Sequence, residues 1–226
     1  MEPHHSPLVT HAGLQHAVLL RAMPVLRHDL SSPLSVMRMG TTLLKRHLQR
    51  ADLNPADAVA RVEQLEQQLT ELSAHIRRLR QWDPQVRERH SLKAIALEAA
   101  ALARPMLMVQ GMEVAPLQED APGWQDDSQA PHTLLYAVLA AIYHLAEPGE
   151  GEAAPASIVV EPLSSHGIQI SAQGARSVPD ALQIAAPSLD GLALTADAVA
   201  QLARSAQFAA SVSGRSTVTL TPLQGR

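Results

Sequence analysis

Two segments near the start of the chain repeat apolar residues at alternating spacings of four and three. The first holds Leu30, Leu34, Met37, Thr41, Leu44 and Leu48, and the second holds Val62, Leu65, Leu69, Leu72, Ile76 and Leu79. Such spacings place every member along one side of an α-helix, as in a coiled coil. Between them, Asn54 can cap a helix and Pro55 can be its first residue. The pattern predicts a helical hairpin, with helices at about 8–48 and from 55 to just before "WDP" at 82–84.

One hairpin leaves two apolar seams to cover. The economical solution is to pair with a second copy as a four-helix bundle. We therefore predict a homodimer. The alternative is a hairpin that the C-terminal half of the same chain covers.

Composition excludes several classes of protein. The 226 residues have 46% apolar content, enough for one large or two small domains, and there is no cysteine for a disulfide or thiolate metal site. The first residues lack the basic and apolar regions of a signal peptide, and no apolar run approaches the ~20 residues that cross a bilayer. We expect a soluble cytoplasmic protein with no membrane partner.

Charge is uneven along the chain. Residues 1–90 hold 12 basic and 9 acidic side chains, whereas residues 91–226 hold 6 and 13. This difference favours two domains, at 8–84 and 90–226, with different surfaces. It is too mild, and the basic residues too dispersed, for nucleic-acid binding.

One stretch of the first helix, "RHDLSSPLS" at 27–35, is unusual. At about 100° per residue, His28 points about 150° away from the seam and therefore faces water. The same outer strip contains Ser32, Ser35 and Met39. Pro33 removes a backbone hydrogen bond near the carbonyl of Asp29 and should bend the helix.

The second half alternates predicted helices and strands. Helices are expected at 91–107, 131–147 and 195–206, and strands at 112–117, 157–163, 167–173, 208–214 and 216–223. The order predicts an α+β fold with helices on one face of a mixed sheet.

The stretch "HDLSSPL" resembles the H-box of the dimerisation and histidine-phosphotransfer domain of bacterial sensor histidine kinases, with His28, Asp29, Leu30 and Pro33 at the matching positions. The resemblance implies that His28 carries a phosphoryl group. It also implies that Asp29 accepts a hydrogen bond from the other ring nitrogen or acts as a base. A neutral imidazole suits this role because its ordinary pKa is about 6.5. Arg27 and Arg38 flank the site and could steady phosphate oxygens.

The second half is similar in outline to the kinases' ATP-binding domain, a helix-covered α/β sandwich, but departs from it at the nucleotide residues. His144 stands where the family has a Mg²⁺-binding Asn, "AQGARSVP" lacks the adenine-reading Asp, and the second glycine box is reduced to Gly191. These departures predict a degenerate domain that binds no ATP or other cofactor. We interpret His144 as an interior polar side chain.

Together these features resemble the dimeric bacterial histidine phosphotransferases, which relay a phosphoryl group between receiver-domain aspartates of response regulators. The partner receiver would supply any Mg²⁺ and would contact Arg27, Ser32, Ser35, Arg38 and Met39. Two alternatives remain: a soluble histidine kinase with a divergent ATP site, with or without phosphatase activity, and a pseudokinase that only binds a response regulator. Ser32 stands where phosphatase-active kinases often carry Thr or Asn.

Overall fold

The structure is a computed structural model that describes residues 7–49, 54–80, 82, 88–124, 129–147, 153–163, 166–176 and 194–223. Its N-terminal helices and C-terminal α/β unit confirm the predicted α+β class. Within the described residues, no helix combines the length and apolarity needed to cross a membrane.

The first two helices form the predicted hairpin. Helix α1 spans Pro7–Leu48 and continues through Pro24 and Pro33, and helix α2 spans Pro55–Arg80. Asn54 caps α2, because its Oδ1 accepts a hydrogen bond of 3.1 Å from the backbone N–H of Ala56. The two helices approach closely at Gly40, where an added Cβ would lie 3.0 Å from Cδ2 of Leu65.

The predicted seam of the hairpin divides into an inner and an outer row. The inner row is half-buried and contains Leu30, Met37, Leu44, Leu65, Leu72 and Leu79. The outer row is 43–54% exposed and contains Leu34, Leu48, Val62, Leu69 and Ile76. Thr41, between Leu34 and Leu48 in the heptad pattern, is also exposed. One chain thus covers only half of its own apolar seam.

The α/β unit is built on a five-stranded mixed sheet. Its order is β2-β4-β5-β7-β6, with β2 parallel to β4 and the other pairs antiparallel. The strands are β2 (Glu113–Val114), β4 (Ala154–Leu163), β5 (Gly167–Arg176), β6 (Phe208–Ser213) and β7 (Thr217–Pro222). The helices are α3 (Leu92–Val109), α4 (Leu134–Ala146) and α5 (Ala196–Ser205).

Helix α4 is the centre of this unit. All of its residues are buried, and it contacts α3, α5 and the strands β4, β5 and β7. The facing side chains of the sheet, among them Ile158, Ile168, Ile170 and Leu220, are fully buried. The almost uniformly apolar sequence of α4 is explained by this position, since a helix covered on all sides has no exposed polar face.

Helix α1 belongs to both compact units of the chain. One unit is residues 23–86, and the other combines the N-terminal segment up to Ala22 with residues 87–226. Within the second unit, the Arg21 guanidinium is 2.8 Å from Oε1 of Glu147, and Ala17, Val18 and Ala22 are almost fully buried. Packing of these small apolar residues and the Arg21 ion pair bring the first part of α1 into the α/β unit.

A second, two-stranded ladder was not expected from the sequence. Strand β1 (Arg89–Ser91), at the start of the predicted second domain, pairs antiparallel with β3 (Gln129–Pro131). Next to this ladder His132 is 3% exposed, and its ring meets the ring of His90 edge-on at 5.0 Å. Within the described residues, neither ring nitrogen of His132 has a hydrogen-bond partner.

Burial lowers the pKa of His132 below its ordinary value of 6.5, with His90 adding to the effect and Glu98 and Glu88 opposing it. The unfolded chain therefore takes up this proton first as pH falls. Neutral His132 contributes stability above pH ~6.5, and that contribution is lost as pH falls further.

We predict that the urea midpoint of unfolding drops between pH 7.5 and 5.5, and that His132→Leu makes the drop smaller. An exposed-histidine control, His16→Leu, should keep the wild-type drop, and an equal drop in His132→Leu would contradict the assignment.

Candidate functional site

His28 projects from the middle of α1 into solvent. Its side chain is 79% exposed, in agreement with the outward orientation expected from the helical wheel. Its Nδ1 lies 3.6 Å from Oδ1 of the next residue, Asp29. The other ring nitrogen, Nε2, is farther from the Asp29 carboxylate and is therefore available to an approaching group.

Asp29 contacts both helices of the hairpin. Its side chain is 24% exposed, and while Oδ1 faces His28, Oδ2 lies 3.6 Å from Nη1 of Arg78 and 3.9 Å from Nδ1 of His75. Both of these residues are on α2. A step of one residue turns the side chain about 100° around the helix, so Asp29 points toward α2 while its neighbour points outward. The carboxylate therefore bridges the exposed imidazole and two basic groups of the second helix.

The serines around His28 are turned back on their own helix. Oγ of Ser31 donates a 2.8 Å hydrogen bond to the carbonyl of Arg27, and Oγ of Ser35 donates one of 2.9 Å to the carbonyl of Ser31. Pro33 has no N–H to offer the carbonyl of Asp29, as predicted, yet α1 continues through it. Small side chains folded onto the helix leave room beside the imidazole.

The other predicted site residues lie on the same helix as His28. Arg27, Ser32, Ser35, Arg38 and Met39 are all exposed, and Met39 is 61% exposed. The strip therefore combines two guanidinium groups, two hydroxyls and one flexible apolar side chain around the imidazole. Its role in binding a partner stays a prediction.

His144 lies inside the α/β unit. It is 7% exposed, and its Nδ1 is 2.9 Å from the carbonyl oxygen of Leu194. A carbonyl oxygen only accepts, so Nδ1 carries the proton and the imidazole links α4 to the segment that precedes α5. This placement agrees with its interpretation as an interior polar side chain.

The altered nucleotide segments are only partly within the described residues. Strand β5 contains the start of "AQGARSVP", with Gly174 at a positive φ of 68°, while residues 177–193, including Gly191, lie outside the described residues. The expectation that no ATP or cofactor binds therefore stays a prediction. Across the part of the chain that is described, no three His, Asp or Glu side chains are grouped as a metal site.

One cavity of the α/β unit, of about 510 Å³, lies beside strands β4 and β5. Its walls contain Gln118, Gly123, Glu161 and Gln169, with apolar side chains between them, and none of its lining residues is basic. A carboxylate without a cation repels phosphate. The lining of this cavity is therefore unfavourable for phosphate binding.

The sequence analysis did not identify His75 and Arg78, the two α2 residues that lie close to Asp29. For His75, the helical spacing contained an indication. His75 follows Leu72 by three residues and precedes Leu79 by four, which places it on the inner side of α2. The antiparallel register that sets Gly40 against Leu65 brings this end of α2 level with Asp29.

No protein-family model and no curated protein matches the sequence. Among solved structures, the histidine kinase AdeS of Acinetobacter baumannii aligns over 88% of this chain and 98% of its own, with 13% identity and a TM-score of 0.40. A structure described as a bacterial phosphotransferase aligns over 92% of this chain and 94% of its own, with 14% identity and a TM-score of 0.35. The functional proposal therefore rests on the residues of this chain.

Proposed function

We propose that this protein is a histidine phosphotransferase, which relays a phosphoryl group between receiver-domain aspartates through His28. The observation that carries the proposal is the 79% exposed imidazole with a carboxylate oxygen 3.6 Å from its Nδ1. A carboxylate at Nδ1 favours the tautomer with the proton on that nitrogen. The lone pair is then on Nε2, the nitrogen available to solvent.

The chemistry needs little from the protein beyond this arrangement. The Nε2 lone pair attacks the phosphorus of a receiver's aspartyl phosphate, the bond from phosphorus to the aspartate oxygen breaks, and its electron pair leaves with the carboxylate. No proton has to move, because Nδ1 keeps its own. Phosphoryl transfer depends mainly on in-line positioning and charge stabilisation, and an exposed histidine on a helix lets a second protein supply both.

One observation favours relay over ATP-dependent autophosphorylation. At the position where histidine kinases have a metal-binding Asn, this chain has His144, which is buried and bonded to Leu194 rather than presented to a ligand. The proposed phosphoryl donor is accordingly another phosphoprotein, and a receiver domain would bring its own Mg²⁺.

We infer further that the protein acts as a homodimer. The exposed outer row repeats every seven residues on both helices, as Leu34 and Leu48 show on α1 and Val62, Leu69 and Ile76 on α2. Exposed apolar residues in a heptad register are typical of helices that pack against a partner. A second hairpin offers the same two rows, so the pair closes as a four-helix bundle.

The dimer is tested by Leu69→Glu. Leu69 is 53% exposed in the single chain, so the substitution leaves the hairpin packing intact. It would bury a carboxylate in each copy of the dimer seam, at a cost of several kcal/mol if the group stayed charged. We predict a monomeric sedimentation mass for the variant and twice that mass for the wild type.

The matched control is Leu43→Glu, at a leucine that is 38% exposed and lies about 180° around α1 from Leu34. It should sediment as a dimer. A Leu69→Glu protein that sediments with the wild-type mass would contradict the four-helix bundle.

The docking face is tested by Ser35→Trp. A transient interface of about 1,200 Å² or less, centred on His28, requires a close approach over the small serines. The indole would hold the partner away and lower the rate of transfer from a phosphorylated receiver, while circular dichroism and dimer mass stay unchanged. Transfer at the wild-type rate would place the docking face elsewhere.

The chemistry is tested by His28→Ala. We predict that a phosphorylated receiver labels the wild type with an acid-labile, alkali-stable phosphate, and that the variant acquires none. Its melting temperature should change little, since the replaced side chain is exposed. Labelled ATP alone should label neither protein.

The alternatives give different results in the same experiment. Labelling of the wild type by ATP would favour a kinase. Dephosphorylation of the receiver by His28→Ala would favour a phosphatase, and receiver binding without any labelling would favour a pseudokinase.

A further inference from the structure

We propose that Arg78, assisted by His75, is a positioning residue that holds Asp29 against His28 and so sets the reactive tautomer of the imidazole. This inference rests on the proposed function, because it concerns the same histidine. It adds two residues of the second helix to the site. It also makes the reactivity of His28 depend on how the two helices of the hairpin pack.

The carboxylate of Asp29 lies between the imidazole of His28 on one side and the two α2 side chains on the other. The two oxygens of the Asp29 carboxylate face opposite ways, with Oδ1 toward His28 and Oδ2 toward Arg78 and His75 at 3.6 and 3.9 Å. These distances are those of ion-pair neighbours rather than short hydrogen bonds. Such contacts are often long in a protein without its reaction partner and tighten when it binds.

Asp29 needs this second contact to be an effective partner for the imidazole. A carboxylate on a free helix surface has several rotamers, and only some of them place an oxygen near the preceding side chain. A cation on α2 stabilises the rotamer in which Oδ2 is turned inward, and Oδ1 is then left facing Nδ1. The same logic operates where a carboxylate fixes the tautomer and ring orientation of a metal-binding or catalytic histidine.

Exposure of the participants supports this assignment. The side chains of Arg78, Asp29 and His75 are 26%, 24% and 32% exposed, compared with 79% for His28. Ion pairs that are partly shielded from water are screened less than fully exposed ones. The cluster is therefore shielded from water on the α2 side and open on the side where the phosphoryl donor would arrive.

The link across the hairpin has a regulatory consequence. His28 and Asp29 are on α1, whereas His75 and Arg78 are on α2. A sliding or rotation of α2 by a fraction of a turn would separate Arg78 from Asp29 without moving the nucleophile. A partner that changes the packing of the hairpin would thus change the rate of transfer.

The test uses the full-length protein and potassium phosphoramidate, a small donor that needs no partner protein. His28 Nε2 attacks the phosphorus, the P–N bond breaks and ammonia leaves. We expect Arg78→Ala to lower the rate of His28 phosphorylation about tenfold, less than the ~10²-fold upper bound for loss of the orienting carboxylate in Asp29→Ala. Arg78→Lys, which keeps a positive charge, should restore much of the rate.

The matched control is Arg77→Ala. Arg77 is the neighbouring arginine on α2, and its Nε donates a 3.3 Å hydrogen bond to the carbonyl of Ser73 on its own helix. This variant removes the same charge one position away and should react at the wild-type rate. Circular dichroism and melting temperature should match among all variants compared.

A double variant separates positioning from a general structural effect. In an Asp29→Ala background, Arg78→Ala should have no further effect on the rate, because its action passes through the carboxylate. Nitrogen-15 spectra give a second readout, with His28 assigned by comparison with His28→Gln. The Nδ1-protonated tautomer of His28 should dominate in the wild type and in Arg77→Ala, and its share should fall in Arg78→Ala.

Two results would overturn the proposal: equal rates and tautomer populations in Arg78→Ala and Arg77→Ala, or an undiminished effect of Arg78→Ala when Asp29 is already alanine. Failure of the proposed function looks different. In that case no phosphorylated receiver would label His28, while Arg78→Ala would still change its reaction with phosphoramidate.

Discussion

Along α1 and α2, the half-buried inner row of the hairpin separates the residues that face inward from those that face outward. The close approach at Gly40 and Leu65 sets the register of the two helices. In this register Asp29 lies beside His75 and Arg78, and His28, one residue earlier, is turned to solvent. The same packing leaves the outer row exposed, so the proposed dimer seam and the exposed imidazole both follow from one arrangement.

The α/β unit contains a second histidine in a different environment. Its core is formed around α4, whose buried histidine is bonded to the backbone of Leu194. In a nucleotide-binding site the corresponding side chain would be presented to a metal ion. The two histidines therefore have distinct environments: His28 is open to a reaction partner, as the proposed relay requires, whereas His144 is buried and bonded.

Much of this fold could be predicted from the sequence. The heptad spacing predicted α1, α2 and the exposure of His28, and alternating patterns with turn residues predicted the five strands of the main sheet. The ladder of β1 and β3 could not be predicted, because three-residue strands carry no periodicity and their pairing depends on distant residues. The burial of Ala17, Val18 and Ala22 within the α/β unit likewise could not be predicted, since helical spacing does not say what a helix face contacts.

The candidate site, too, could be predicted only in part from the sequence. The position of His28 follows from the wheel of one helix, but the contacts of Asp29 need the register of two. Only a three-dimensional arrangement shows that one carboxylate oxygen faces the imidazole while the other faces Arg78. Sequence reasoning accordingly predicted the exposed histidine and missed the α2 residues that contact its neighbouring carboxylate.

Relay of a phosphoryl group, as opposed to its generation or hydrolysis, is tested most directly by a pulse–chase measurement. The protein is labelled from a phosphorylated receiver, repurified, and mixed with a second, unlabelled receiver. We expect the label to leave the histidine and to appear on an aspartate of the second receiver. Release of the label only as inorganic phosphate, or acquisition of label from ATP but never from a receiver, would contradict it.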